Sequence, residues 1–197
     1  MTSDAAAHPS TGHSEPRFDV VSSEVTYTGM MTTLRVDTLR ASDGSTFRRE
    51  IAERLDAVAM VPLTDAGEIV LLRQYRHAVN DYELEIPAGL LDVDGESEEV
   101  AAQRELVEEI GVSAGTLRHL VRFVNSGGWS NEQTTIFVAT DLRTADVDDD
   151  FVAEAEEADM SVLRMPLVDA VAMVHDGRIR DAKTVIGVLL VAADGAS

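Results

Sequence analysis

The densest chemical signal in the chain is a set of carboxylates at helical spacing: Glu96, seven residues, then Arg104-Glu105-Leu106-Val107-Glu108-Glu109-Ile110-Gly111-Val112. On an α-helix Glu105 and Glu109 stand at i, i+4 and Glu105 and Glu108 at i, i+3, so the three carboxylates share one face. Like charges at these separations weaken a helix by roughly 0.2–0.5 kcal/mol per pair. A hard divalent cation would relieve that repulsion. Mg²⁺ takes oxygen ligands, retains several waters and bridges to substrate phosphates, and a pair of such ions polarises phosphorus and activates water. In a chain this acidic, such a face is ordinarily plain solvated surface. Here the order argues for chemistry, because six fixed positions at about 6% usage each recur by chance at about 10⁻⁷ per start.

The segments around this face predict the elements that must hold it. Residues 97–110 read as the helix, with Ser97 as its N-cap and Gly111 at its end. Ahead of it, residues 82–87 (YELEIP) alternate apolar and acidic as a half-buried strand does. Pro87-Ala88-Gly89 breaks that strand and an acidic loop follows. Residues 57–62 and 69–74 are short apolar strands, and the connector Thr64-Asp65-Ala66-Gly67 predicts that they form a hairpin. Nearer the N-terminus, residues 26–27, 32–36 and 45–48, with the turn Ser42-Asp43-Gly44, predict a small antiparallel sheet. Strands at 117–124 and 134–139 flank the loop 125–133 (NSGGWSNEQ). Residues 145–159 are acid-rich without periodicity and predict a loop. A strand at 161–165 and helices near 167–175 and 182–193 complete the chain. Mixed strands with a few helices indicate α/β or α+β layers around one core.

Composition narrows the partners. Lys and Arg number 16 against 36 Asp and Glu, a formal net charge of −20, which argues against nucleic acid and against an anionic membrane surface. An anionic substrate would need the local sign inverted, and a divalent metal held by carboxylates does that. The hydrophobic fraction of 45% suffices for a packed core. Without cysteine there is no thiol nucleophile, disulfide framework or Cys-type zinc site. Residues 1–17 lack an apolar core segment and are expected to be a mobile tail, not a signal peptide. No apolar run approaches the roughly 20 residues of a membrane span, so a soluble, cytoplasmic protein is expected.

Residues 89–112 resemble the Nudix box, G-x5-E-x7-R-E-U-x-E-E-x-G-U with U aliphatic. Everything from Glu96 onward matches. Gly89 precedes Glu96 by six intervening residues instead of five, a longer loop of a kind found in bacterial ADP-ribose pyrophosphatases. The resemblance to that subfamily extends from about Arg49 to the C-terminus, through YELEIPAGLLDVDGE, VNSGGWSNE, EEADM and the last helices. It implies a Nudix α/β/α sandwich with a mixed sheet and an N-terminal antiparallel β subdomain. The implied division is a tail at 1–17, a dimerising β subdomain at 18–55 and a hydrolase domain at 56–197. The implied activity is Mg²⁺-dependent (Mn²⁺ being the other candidate) hydrolysis of ADP-ribose to AMP and ribose 5-phosphate, by a homodimer whose N-terminal strands reach across.

Residue by residue, the resemblance implies that the Ala88 carbonyl, Glu105 and Glu109 ligate metal, with Glu108 completing the cluster and Glu96 nearby. Arg104 belongs with them as the group that pairs with a box carboxylate and orients it, and Gly89 is expected to give the loop a permissive backbone. The general base is implied on the acid-rich loop, at Glu157 or Glu156, with Glu157 favoured by alignment; the plain alternative is that both are solvated loop acids. Implied substrate contacts are Arg76 near the phosphates or terminal ribose, Glu85 at the adenine or ribose edge, and Arg49 from a second subunit. Trp129 could pack on substrate, although a lone Trp is more often core. Gly127 stands where ADP-ribose hydrolases of the family commonly carry Pro downstream of the box, a difference that bears on substrate choice. The rival readings are the same chemistry on a nucleotide sugar or NADH, and a Nudix-fold binding module without turnover, which would have no need of crowded carboxylates. An acidic calcium-binding loop at 145–159 lacks EF-hand spacing.

Overall fold

The computed structural model describes residues 18–146 and 159–195, which divide into two compact units after Glu53. The first holds a three-stranded antiparallel sheet of β1 (Asp19–Thr28), β2 (Thr33–Arg40) and β3 (Thr46–Glu53), in that order. The β2–β3 turn uses the expected chemistry: Gly44 sits at φ +84, and Asp43 Oδ1 accepts from Ser45 N–H at 2.9 Å and Ser45 Oγ at 2.6 Å. All three strands outrun their sequence windows, β1 most of all. Its ten residues are exposed, Val20, Val25 and Tyr27 included, so no alternation marks its length.

The second unit contains β4 (Ala57–Pro62), β5 (Glu68–Arg76), β6 (Asp81–Glu85), β7 (Ala88–Leu90), α1 (Glu98–Ile110), β8 (Val112–Val124), β9 (Gln133–Thr144), β10 (Ser161–Pro166), α2 (Leu167–His175) and α3 (Ala182–Gly195). One sheet runs β7-β4-β9-β8 and is mixed, because β4 and β9 pair in parallel while the other neighbours are antiparallel. The other, β10-β5-β6, is antiparallel. The expected β4–β5 hairpin is therefore wrong. Thr64 to Gly67 does turn, with Gly67 N–H donating to the Thr64 carbonyl at 2.9 Å, but the strands enter different sheets and share the single bridge Leu63–Ile69. Long-range partners hold β4: Ala57 lies opposite both Thr134 of β9 and Leu90 of β7. The short strand β7, in the segment expected to be a break, is the second partner.

Alternation along β4 and β9 builds the layers. Val58, Met60, Phe137 and Ala139 face α1, packing with Ala101, Ala102 and Leu106. Ala59, Val61, Ile136 and Val138 face the opposite side, packing with Ala170 of α2 and Val188 and Val191 of α3. This is the expected α/β/α sandwich. Helix α3 lies so close to β4 that a Cβ on Gly187 would come within 2.8 Å of Val61 Cγ2. Its first turn is capped by Asp181, whose Oδ2 accepts from Thr184 N–H at 3.0 Å and from the Thr184 hydroxyl at 2.6 Å. The Thr184 hydroxyl in turn accepts from Ile86 N–H at 2.9 Å, fixing α3 beside the end of β6.

Candidate active site

Helix α1 begins as its sequence requires. Ser97 Oγ accepts from Val100 N–H at 3.3 Å, Glu98 and Glu99 occupy the first turn, and Gly111 closes the helix at φ +66. The last turn holds Glu108 and Glu109 with no basic residue, so negative charge stands at the negative end of the helix dipole. Arg104 supplies the local counter-charge. Its Nη2 donates to Glu96 at 3.0 Å, and its Nη1 to Glu105 at 2.6 Å and Glu108 at 3.2 Å. Hydrogen bonding to Glu96 in particular raises the already high Arg104 pKa. The orienting role expected of Arg104 is thus visible as a hub joining three carboxylates.

Two carboxyls of this cluster are shifted upward, chiefly by burial. Burial pushes Glu105 up to about 7, with Arg104 pulling it down and Glu108 pushing it further up. Glu109 is pushed up to about 8 by burial and by the charge of Glu105, despite a 2.9 Å hydrogen bond from Ala88 N–H. That bond ties the end of α1 to β7. Gly89 fits there for a reason other than the one expected. Its φ is not positive; instead a Cβ would lie 1.9 Å from the Glu105 carboxyl, so only glycine admits this carboxylate against the strand. Among the described residues no three acids or histidines converge to hold an ion; Glu96, Glu105 and Glu108 each pair with Arg104. The donor set nevertheless suits a hard cation: oxygen ligands, two largely buried carboxyls whose charge a cation would offset, and a backbone cradle at Ala88–Gly89.

Beside this cradle opens a cavity of about 710 Å³, with Ala88, Gly89 and Leu90 in one wall and Arg76, Glu85 and Lys183 also lining it. Arg76 Nε and Nη2 donate to the two Glu85 oxygens at 2.7 Å each, and Lys183 Nζ also donates to Glu85. Burial would raise the Glu85 pKa, but the hydrogen bonds from Arg76 and the charges of Lys183 and Arg76 outweigh it and hold the group at about 2. Arg180 binds Asp81 at 3.0 Å and also Glu83. Arg54 pairs with Glu132 at 3.1 Å, and its N–H donates to Asn131 Oδ1 at 3.0 Å. Arg122 bonds Glu98 at 2.6 Å and also Asp56, tying the start of α1 to the start of β4.

The structure therefore brings Ala88, Glu96, Arg104, Glu105, Glu108 and Glu109 together around α1 and pairs Arg76 with Glu85. Arg49 is exposed on β3 in the first unit, its guanidinium 4.6 Å from the Phe47 ring. Trp129 is 55% exposed and is not among the described residues lining the cavity. Glu156 and Glu157 lie outside the described residues. Sequence reasoning missed Lys183, Arg180, Arg54 and Arg122. The ion pair of Lys183 with Glu85 spans 98 positions, which no local spacing marks; the available hint was Asp181-x-x-Thr184 as a cap signature placing Lys183 on a first turn.

Residues 53–186 match the NUDIX domain family model. The chain is 39% identical over 179 residues to an ADP-ribose pyrophosphatase of Mycobacterium tuberculosis, covering 91% of this chain and 85% of that protein. It is 35% identical over 159 residues to a GDP-mannose pyrophosphatase of Escherichia coli, covering 75% of this chain and 80% of the relative. A solved structure described as an ADP compounds hydrolase superposes with a TM-score of 0.79 at 27% identity, covering 92% of this chain and 95% of that one.

Proposed function

The chain belongs to the NUDIX family, and from that premise we propose that it hydrolyses the diphosphate of ADP-ribose to AMP and ribose 5-phosphate, using a divalent cation, Mg²⁺ or alternatively Mn²⁺. The observation that carries the reading is the pair of largely buried carboxyls, Glu105 and Glu109, packed against Ala88–Gly89, the segment that lines a cavity together with Arg76 and Lys183. Glu105, Glu109, Glu108 and the Ala88 carbonyl would hold the cation, with Glu96 held behind them by Arg104. Once bound, the cation supplies positive charge and Lewis acidity toward the diphosphate oxygens.

The chain's own part is to place the substrate and move a proton. Arg104 keeps Glu105 and Glu108 oriented, and the hydrogen bond from Ala88 N–H does the same for Glu109. Glu157, with Glu156 as the alternative, takes the proton from the attacking water. Water oxygen bonds one phosphorus, the bridging P–O bond breaks, and the two phosphate monoesters leave. Residues 18–55 serve as the dimerising β subdomain of a cytoplasmic homodimer and residues 56–197 as the hydrolase domain. In this reading Arg49 reaches substrate from the second subunit and Trp129 packs on bound substrate. Hydrolysis of ADP-ribose with and without divalent ion, with product analysis, tests this.

A second reading keeps the site and changes the substrate to a nucleotide sugar. It is supported by the relative named GDP-mannose pyrophosphatase and by Gly127, in the loop where the subfamily commonly has Pro. A substrate panel ranked by kcat/KM separates the two.

A further inference from the structure

We propose that Tyr82 is a positioning residue for the general base: its hydroxyl, bonded to Asp159, ties down the acid-rich segment two residues beyond Glu157. The inference rests on the reading of Glu157 as the base and deepens it. It starts from a polar side chain with no part in the cavity. Tyr82 lies on β6 between Asp81 and Glu83, and strand alternation turns it to the face opposite Glu83 and Glu85. Those two glutamates line the cavity, and Tyr82 is not among the described residues that do. Its hydroxyl donates instead to Asp159 Oδ2, 77 positions along the chain.

The surroundings of the ring hold that hydroxyl in place. The Arg73 guanidinium lies 3.5 Å from the ring centroid, and Tyr75, the cross-strand partner of Tyr82, packs edge-on at 5.5 Å. Tyr75 directs its own hydroxyl to Asn80 Oδ1 at 3.0 Å, leaving Asp159 to Tyr82. A hydroxyl donating to a carboxylate makes the stronger, charge-assisted kind of bond. That bond and the charge of Asp159 push the Tyr82 pKa up, so the phenol stays a donor. Arg73 also stands opposite Ser161, the first residue of β10. One patch of β5 and β6 therefore carries both the ring and the first ladder position after the acid-rich segment.

Chain geometry sets the size of the effect. A residue advances the chain by at most about 3.6 Å, so the Glu157 Cα can lie no farther than about 7 Å from the Asp159 Cα. Without the tie the next fixed point is Ser161, four residues from Glu157, and that radius becomes about 14 Å. Doubling the radius enlarges the accessible volume about eightfold, and the local concentration of the base falls in proportion. The other end of the segment has its own anchor: Ala145 N–H donates to the Gly111 carbonyl at 3.0 Å, at the C-cap of α1 and two residues beyond Glu109.

Tyr82→Phe keeps the ring and its contacts with Arg73 and Tyr75 and removes only the hydroxyl. It should lower kcat for ADP-ribose about 5- to 10-fold, with KM and melting temperature nearly unchanged. Asp159→Ala should do the same, and the double variant should lose no more than either alone, because both remove one bond. In a Glu157→Gln background Tyr82→Phe should leave the residual kcat unchanged, a result that a purely structural role would not produce. Amide exchange at residues 159–161, read by NMR in the free enzyme, should quicken in Tyr82→Phe. A harmless Glu157→Gln, with kcat still lowered by Tyr82→Phe, would move the base off Glu157 and keep Tyr82 as the residue that positions it. Two results overturn the proposal: an unchanged kcat in Tyr82→Phe, whatever the exchange shows, or a severe Glu157→Gln on which Tyr82→Phe costs its full factor again. The bond would then only fasten β10.

Discussion

Replacing Glu109 by Gln isolates the electrostatic strain at the end of α1. The wild-type carboxyl ordinarily titrates at 4.5 and in the folded protein at about 8. Between those values the unfolded chain has released this proton and the folded, metal-free protein keeps it, so folding takes up a proton and stability falls as pH rises. At about 1.4 kcal/mol per pH unit, the effect accumulated by pH 7.5 is about 4 kcal/mol, and water reaching this half-buried group reduces it to about 2–4 kcal/mol. The amide removes the charge and retains an acceptor for Ala88 N–H. In chelator at pH 7.5, Glu109→Gln should therefore melt about 5–10 °C above wild type, and the two should converge toward pH 5. With saturating Mg²⁺ the order of merit reverses, because the variant has lost a ligand: turnover falls by orders of magnitude. Calorimetric melting across pH 5–8.5 in chelator, paired with activity in Mg²⁺, reads both halves. A variant that melts at or below wild type at pH 7.5, or a gap that does not narrow toward pH 5, would refute the reasoning.

Other perturbations test neighbouring parts of the site. Gly89→Ala should leave the fold intact but push the flexible Glu105 carboxyl aside, lowering divalent-ion affinity about 10- to 100-fold by titration calorimetry. Arg104→Met strips the counter-charge from Glu96, Glu105 and Glu108 and should cost about 2–4 kcal/mol in chelator, less in saturating Mg²⁺ and less at pH 5; an equal loss in all three conditions would mean the hub is packing only. Glu157→Gln should lower kcat about 10²–10⁴-fold with substrate affinity nearly kept, and Glu156→Gln should do less; the reverse order would move the base by one residue. Divalent affinity of the wild type should climb from pH 6 to 8.5, because the cation must displace the protons retained by Glu105 and Glu109. A flat profile would place the cation elsewhere.

How much of this was legible in the sequence depends on how local each signal is. Helix α1 was readable to within a residue, because Ser97, Gly111 and the 3.6-residue period all lie inside its own span. The bounds of β4 were equally clear, yet its partner was not. Thr64-Asp65-Ala66-Gly67 makes a genuine turn, and turn chemistry says nothing about which sheet the outgoing strand joins. The parallel pairing of β4 with β9 links residues such as Ala57 and Thr134, and only the packed core decides it. The role of Gly89 was misassigned for a related reason. Its requirement is steric and comes from Glu105, sixteen positions along, while a backbone argument looks only at the glycine itself. The carboxylate half of the site was visible because all its members but Ala88 lie on one helix or its lead-in loop. The cationic half was legible only in part: the resemblance pointed to Arg76 and Glu85, but Lys183 was missed, because the three meet from three elements.

The most direct test follows the diphosphate itself. Purified wild-type protein is incubated with ADP-ribose, in Mg²⁺ and in chelator, while phosphorus NMR records the reaction. Hydrolysis through a cation held by the α1 carboxylates should yield AMP and ribose 5-phosphate in equal amounts in Mg²⁺, and leave the diphosphate signals unchanged in chelator. Equal turnover in chelator, or no AMP in either condition, would contradict it.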